Sequence, residues 1–395
     1  MRIGVIHWAF PPTIGGVETH LATLYPELVK KGNEIFLLTE DLDGKEGKDI
    51  YEGITLERTK LLAIPTFEEM SDNEKTYELV EDKIRDWIDK VKPEIVHAHN
   101  MNCFYPFHPK ALEKICHEKQ IPLLLTVHQV WKHNPVFVKL TTKTKWNKII
   151  AVSYFVKKEL EEIGVPSKKI SVVYHGLDDK RFRPRTEKEL EPLFSKYPKL
   201  RKRRIIVHPA RVSIGKGVKF SVKAISLVQK KFPESLLVLT GMGKEVSFFK
   251  DDEYKNEVLS LIKDLKVDKN VYYSDFTNND MPLIYSAAEI VIYPTTGTKE
   301  KGNEAFGLAT IEANSSGKPI VVSSSGAMPE LIRNDFNGWV VPKKDYVKLA
   351  DRIIYFLAND SIREKVGNTG RDNVIKNFTI GKMADNTLAV YRKLL

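Results

Sequence analysis

The sequence is poor in cysteine and has no long apolar run. Cys103 and Cys116 are its only two cysteines. Two thiols cannot build a disulfide framework, and their setting offers no zinc-finger spacing, so a reducing compartment is expected. No stretch approaches the roughly 20 apolar residues of a spanning helix. No apolar signal-peptide core precedes the opening strand pattern. The expectation is a cytoplasmic protein whose membrane contact, if any, is peripheral, at the inner face of an anionic membrane. The dinucleotide pattern G-x-G-x-x-G is absent, which argues against an NAD site. Beyond a recurring α/β alternation there is no internal repeat, and there is no low-complexity tract.

What is present reads as globular: 42% apolar and 29% charged residues. A chain of 395 residues is long for one α/β core, so two domains are expected. The net charge of +10 favours anionic partners, namely nucleotide diphosphates, anionic lipid or nucleic acid. Charge alone selects none of these, and spread lysine also serves solubility.

In chain order, Arg2–Trp8 reads as a buried parallel strand. A loop with Gly15 and Gly16 follows, then a helix with Val17, Leu21, Leu24 and Leu28 on one face. Glycine at this strand-to-helix junction lets backbone approach an anion, although a plain turn is the default. Residues Asp41 to Lys60 are polar and end in a short strand at Ile54–Arg58. Glu94–His99 and Pro122–His128 are strands that carry His97, His99 and His128 near their carboxyl ends. His-x-His is a possible metal pair, but no acidic third ligand is near in sequence. A polar cluster facing a cleft is the preferred reading. Val138–Lys148 carries four lysines and a tryptophan on an expected helix, either lying on anionic lipid or simply solvated. The domain linker is expected before or within the charged, proline-containing stretch Arg181–Arg204.

The second half repeats the alternation. Strand Ile205–His208 leads into a loop with Arg211 and Lys216, two cations placed to clamp a diphosphate or to be solvated. Leu236–Thr240 runs into a turn with Gly241 and Gly243, and Asn270–Phe276 is a strand with a polar exit. Between strands at Val291 and Ile320 lies Lys301–Asn314, with Glu304 in a loop and Glu312 in the following helix. Eight positions at about 1.5 Å rise separate the two carboxylates by about 12 Å, the reach from hexose to ribose in a nucleotide-sugar. The helix N-terminus near Leu308 suits the phosphates between them. Alone, such a pair is more often a solvated acidic first turn. A strand–loop–helix–strand setting puts it at the carboxyl edge of a parallel sheet, where open α/β folds bind ligands.

Together, Pro12–Glu18, Ala210–Gly217, Thr240–Gly243, Glu304-Ala-Phe-Gly307 with Glu312, and Gly326–Glu330 resemble the retaining GT-B glycosyltransferases of family 4, over nearly the whole chain. The resemblance implies an α/β fold of two Rossmann-like domains with a cleft between them: residues 1–180 for the acceptor, 181–376 for the nucleotide-sugar, and a helix in 377–395 crossing back to the first. It implies a hexosyl- or N-acetylhexosaminyltransferase using a UDP-linked donor, with retention and without metal. Glu304 and the backbone at Phe306 and Gly307 would hold donor-sugar hydroxyls. Glu312 would take the ribose. Arg211 and Lys216 would hold the diphosphate and neutralise it as it leaves, with the Gly16 N–H assisting, and Gly15, Gly241, Gly243 and Leu308 would belong to the same donor site. Asp275 and Phe276 would line the base pocket, and His128 would be the cleft histidine near the acceptor or the reacting centre, counted with Glu304, Arg211 and Lys216 among the catalytic residues. Two positions depart from the family pattern: His175 stands where Asn is common, and Ala327 where Gly is common. The acceptor stays open among glycolipid, glycan, metabolite and natural product; nucleic acid is not expected. A sugar-nucleotide epimerase, and a basic binding protein retaining only the fold, are the alternatives.

Overall fold

The computed structural model describes residues 1–13, 15–41, 47–62, 74–242, 252–274, 276–298 and 302–395. The chain forms two compact units, one of Met1–Gly176 with Ile380–Leu395 and one of Leu177–Thr379.

The strands of the first unit are β1 (Arg2–Ile6), β2 (Glu34–Glu40), β3 (Gly47–Tyr51), β4 (Ile54–Thr59), β5 (Ile95–His99), β6 (Leu123–Val127), β7 (Lys148–Ala151) and β8 (Ile170–Val172). They form one sheet in the order β3-β4-β2-β1-β5-β6-β7-β8. Every pairing is parallel except β3 with β4. The central strands are short apolar runs, such as Leu123–Val127, because helices cover both faces of a parallel sheet. Strand β3 was not expected. Its residues are mostly exposed and polar, so it has no apolar alternation to signal a strand; pairing with β4 defines it.

The unit's helices are α1 (Gly16–Lys30), α2 (Glu74–Val91), α3 (Phe107–Glu118), α4 (Pro135–Lys143) and α5 (Tyr154–Glu162). Helix α1 buries Leu21, Leu24, Tyr25 and Leu28 with Ile3, Val5 and Leu37 in one core. The terminal helix Ile380–Tyr391 adds Met383, Leu388 and Tyr391 to that same core. The helix expected over Val138–Lys148 instead starts at Pro135, where the Asn134 side chain caps it, and stops at Lys143; Lys148 already belongs to β7. No helix among the described residues is long and apolar enough to cross a membrane.

In the second unit the strands are β9 (Arg204–Arg211), β10 (Ser235–Gly241), β11 (Val271–Tyr273), β12 (Ile290–Tyr293), β13 (Ile320–Ser323) and β14 (Gly338–Val341). All pair in parallel, in the order β11-β10-β9-β12-β13-β14. The boundary between the units falls at Gly176–Leu177, just before the stretch Arg181–Arg204, which is itself largely structured. That stretch contains α6 (Glu187–Lys196), which a capping box of Thr186 and Glu189 starts, and Leu190, Leu193, Tyr197 and Leu200 are buried. Charge on its outer face conceals this apolar stripe. The remaining helices are α7 (Val218–Val228), α8 (Asp252–Asp264), α9 (Met281–Ala287), α10 (Leu308–Ser315), α11 (Met328–Leu331), α12 (Tyr346–Ala358) and α13 (Asp360–Asn377), and the terminal helix of the first unit is α14.

In both sheets the chain winds outward in two directions from one point. That point lies between β1 and β5 in the first unit and between β9 and β12 in the second. Loops after these strands leave a crevice at the carboxyl edge.

Candidate active site

The crevice of the second unit is built from the loops after β9 and β12. Strand β9 ends on exposed Arg211, and the loop after it carries Lys216 between Gly215 and Gly217, at φ +93 and +81. A Cβ on Gly217 would lie 2.0 Å from the Pro294 carbonyl oxygen, so the two loops are pressed together and Gly217 must stay glycine. Gly241 does the same at the end of β10. Its Cβ would sit 2.2 Å from the Ala210 oxygen and 2.3 Å from Arg211 Cα. These contacts hold the Arg211–Lys216 loop against its neighbours.

Lys216 Nζ donates to Glu304 Oε2 at 2.8 Å and to the Tyr293 hydroxyl at 2.9 Å. Tyr293, the last residue of β12, donates in turn to the same Glu304 oxygen at 2.5 Å. Burial pushes the Glu304 carboxyl up, but the Lys216 charge and the two hydrogen bonds outweigh it and hold the group below its usual range. Burial likewise opposes the charge on Lys216, and Glu304 more than restores it. Both groups are therefore ionised at neutral pH. Tyr293 was read only as part of a strand. A hydroxyl-bearing residue at the carboxyl end of a buried strand was the available signal.

The backbone around Glu304 is clamped from the loop after β13. Gly326 sits at φ +56, where a Cβ would fall 1.9 Å from the Glu304 carbonyl oxygen. The Ala327 N–H donates to that same carbonyl at 2.9 Å. Ala327 is fully buried with φ −76, a conformation that alanine adopts without strain. Next to Glu304, the Asn303 side-chain oxygen accepts from Lys343 at 2.6 Å.

Helix α10 begins at Leu308, with Gly307 as its cap at φ +85. Its first N–H groups have no partner within the helix and face the end of the loop that carries Glu304. The helix is buried on nearly all sides, so its apolar pattern is weaker than its depth. Phe306 is buried and its ring lies 6.4 Å from that of Phe378, leaving its backbone as the group near the loop. Glu312 accepts a 2.7 Å hydrogen bond from Tyr285, and burial raises its carboxyl above the usual range.

Phe276 packs at 4.7 Å on Tyr197, whose hydroxyl donates to Asp280 at 2.9 Å. Asp280 also accepts from Lys196 and from the Thr277 N–H and hydroxyl. Asp280 therefore anchors the Phe276 segment. Gly243 and Asp275 lie outside the described residues.

Gly15, Gly16 and His128 belong to the first unit. Gly15 caps α1 in extended backbone, and Gly16 is exposed with open space where a Cβ would point. His128 follows β6 and joins a cluster of histidines. Its Nε2 is 3.1 Å from His99 Nδ1, and its ring stacks on His175 at 5.4 Å. His20, from α1, lies 5.0 Å from His128 ring to ring, and its Nδ1 is 2.8 Å from His175 Nδ1. Burial, the main cause, holds His20, His99 and His128 well below the usual imidazole value, so they are neutral. His175, the departure from the family pattern, is thus a member of this cluster.

Residues 14–181 match the family described as Glycosyltransferase Family 4, and residues 191–373 match Glycosyl transferases group 1. An uncharacterised glycosyltransferase of Methanocaldococcus jannaschii is 24% identical over 99% of this chain and 98% of its own. A crystal structure of a glycosyltransferase from Rickettsia africae superposes with a TM-score of 0.82 at 23% identity, covering 99% of this chain and 98% of that one. HepE of Anabaena, solved in complex with UDP, superposes at 0.78 and 17% identity over the full length of both chains. With two parallel-sheet Rossmann-like units and family matches along both, the chain belongs to the GT-B glycosyltransferases of the group 1 and family 4 type.

Proposed function

We propose that this glycosyltransferase moves a hexose or N-acetylhexosamine from a UDP-linked donor to its acceptor with retention of anomeric configuration, and without a metal ion at the diphosphate. The observation that carries the reading is the Lys216–Glu304–Tyr293 network beside the start of α10. A bare carboxylate next to a diphosphate would repel it. Lys216 neutralises Glu304, so the pair carries no net charge to repel the phosphates, and a carboxylate that accepts sugar hydroxyls and an anion site can be neighbours. Backbone N–H groups at Phe306, Gly307 and Leu308 and the positive end of α10 add donors. Glu312, on the same helix, takes the ribose diol, and the Phe276 segment flanks the base.

Breaking the glycosyl–phosphate bond builds negative charge on the departing diphosphate. Arg211 and Lys216 stabilise that charge where it develops, which is the work a divalent ion does in other transferases. Glu304 binds hydroxyls and is not assigned as a nucleophile, because its charge is committed to Lys216 and Tyr293. Likeness in fold to a protein that binds UDP supports uridine as the base. His128, neutral and close to the sheet edge, is assigned to the acceptor side.

The test is donor hydrolysis without acceptor across UDP-, GDP- and ADP-sugars. Release of UDP from one sugar, lost in Glu304→Ala, is the expected result. Release of another nucleotide would reassign the base, and no release with no thermal shift by any nucleotide would overturn the donor site.

A further inference from the structure

The histidine cluster of the first unit has a property that the transfer reaction does not use. Six of the ten histidines, His7, His20, His97, His99, His128 and His175, gather at the carboxyl edge of one sheet. They come from α1, β5 and the segments after β1, β6 and β8. One nitrogen each of His20, His99 and His128 lies within 4.8 Å of the other two. Around a tetrahedral ion with bonds of about 2.0–2.1 Å, ligand nitrogens stand about 3.3 Å apart. The His99–His128 pair is already at 3.1 Å, and the His20 nitrogen lies within 4.8 Å of both.

We propose that His20, His99 and His128 form a binding site for one d-block divalent ion of the zinc class. Without an ion, two imidazole nitrogens this close must share a proton. An ion accepts both lone pairs. Neutral imidazole is the ligating form, and burial already enforces it in all three residues. The donor set is all nitrogen, with no carboxylate in the group, which selects zinc, cobalt, nickel or copper over magnesium or calcium.

The surroundings have the form of a metal site's supporting shell. The Tyr25 hydroxyl lies 2.6 Å from His99 Nε2. In the tautomer with the proton on Nε2, the hydroxyl accepts it, which leaves Nδ1 with a lone pair and fixes the ring. Tyr25 also lies 3.0 Å from His97 Nδ1, which is 2.6 Å from the Tyr391 hydroxyl, while His97 Nε2 reaches Thr126 Oγ1 at 2.7 Å. His7 Nδ1 meets the His99 carbonyl at 2.8 Å, holding the ligand's backbone. His175 packs on both His20 and His128. His20 is partly exposed and gives the ion its way in. Three imidazoles leave a fourth position open for water or for an acceptor oxygen.

The test uses the full chain, stripped with chelator and returned to metal-free buffer, with no donor or acceptor present. Zn2+ is titrated calorimetrically, and Co2+ is followed by its visible absorption. The expected result is one Zn2+ per chain with a Kd of about 1 μM or tighter, and intense Co2+ bands typical of four-coordination. Affinity falls at least about tenfold in His20→Ala and in His128→Ala, while His117→Ala and His133→Ala bind as wild type. Thermal unfolding of the metal-free variants checks that they fold. His20→Gln, at a partly exposed position, serves if alanine does not fold. No binding tighter than millimolar, or Zn2+ binding equal to wild type in folded His20 and His128 variants, overturns the site. Because metal binding is read without turnover, its failure leaves the donor-hydrolysis result untouched, and the reverse also holds.

Discussion

Lys216 and Glu304, 88 residues apart in sequence, form an ion pair of 2.8 Å that Tyr293 completes. Their side chains are 30% and 18% exposed, so the pair is partly desolvated yet open to a ligand. Its value lies in position more than in stability. It keeps a carboxylate charged inside the crevice proposed to hold the diphosphate.

On the proposed donor role, Glu304→Ala lowers transfer by far more than tenfold, a loss above about 1.4 kcal/mol in transition-state stabilisation. Removing one member of the network costs about 1–3 kcal/mol of stability, so the fold survives. Steady-state kinetics with urea unfolding check both. A variant keeping more than about a tenth of the rate would contradict the role.

Arg211→Ala and Lys216→Ala each weaken UDP binding at least about tenfold, or about 1.4 kcal/mol, by calorimetry. Binding and transfer change by less than about twofold when Mg2+ is added, since the cations already supply the charge a metal would. Unchanged UDP affinity in both variants would remove the diphosphate clamp.

Tyr293→Phe keeps the ring in the core and deletes only the hydroxyl that meets Glu304 and Lys216. Stability falls by about 1 kcal/mol. Transfer falls less than in Glu304→Ala, because Lys216 still orients the carboxylate. A rate loss equal to that of Glu304→Ala would make the tyrosine a direct participant.

Gly326→Ala acts on Glu304 through the backbone. Its Cβ would fall 1.9 Å from the Glu304 carbonyl oxygen in a left-handed conformation. Transfer drops toward the level of Glu304→Ala, with a destabilisation of about 2 kcal/mol or more. Near-normal turnover would mean that the loop tolerates displacement. A crystal structure of the variant would show where Glu304 goes.

His108 and His208 are fully buried, and burial holds them at about 4 and about 3. In the unfolded chain they titrate near 6.5. Below that pH the unfolded state binds protons that the folded state refuses. Stability is therefore full above about pH 6.5 and falls as pH drops toward about 4, by up to about 1.4 kcal/mol per pH unit for each histidine. Urea midpoints at pH 7 and pH 5 measure the slope, which is shallower in His108→Asn and His208→Asn. A slope unchanged in both variants would rule these two groups out.

Much of the architecture was legible because parallel sheets announce themselves. Runs such as Leu123–Val127 and Ile320–Ser323 are apolar on both faces, and the helices between them carry a regular stripe. Strand β3 and helix α6 were not legible, since one is exposed and the other is masked by charge. In the site, Glu304, Arg211 and Lys216 stood out as charges at strand ends and in glycine-bearing loops, and Glu312 as a charge in the helix that follows. Tyr293, Tyr285 and Asp280 did not, because each looks locally like part of an ordinary element.

Most of the order of strands and helices, the cations at and just after the end of β9 and the carboxylates around α10 follow from the sequence by itself, because periodicity and turn chemistry act over a few residues. That Lys216 meets Glu304, that Gly326 supports it, and that His20 reaches His99 and His128 were decided only by the tertiary structure. Those partners are far apart along the chain. Only packing of the sheet, which brings the carboxyl ends of β-strands to one edge, determines which side chains share a crevice.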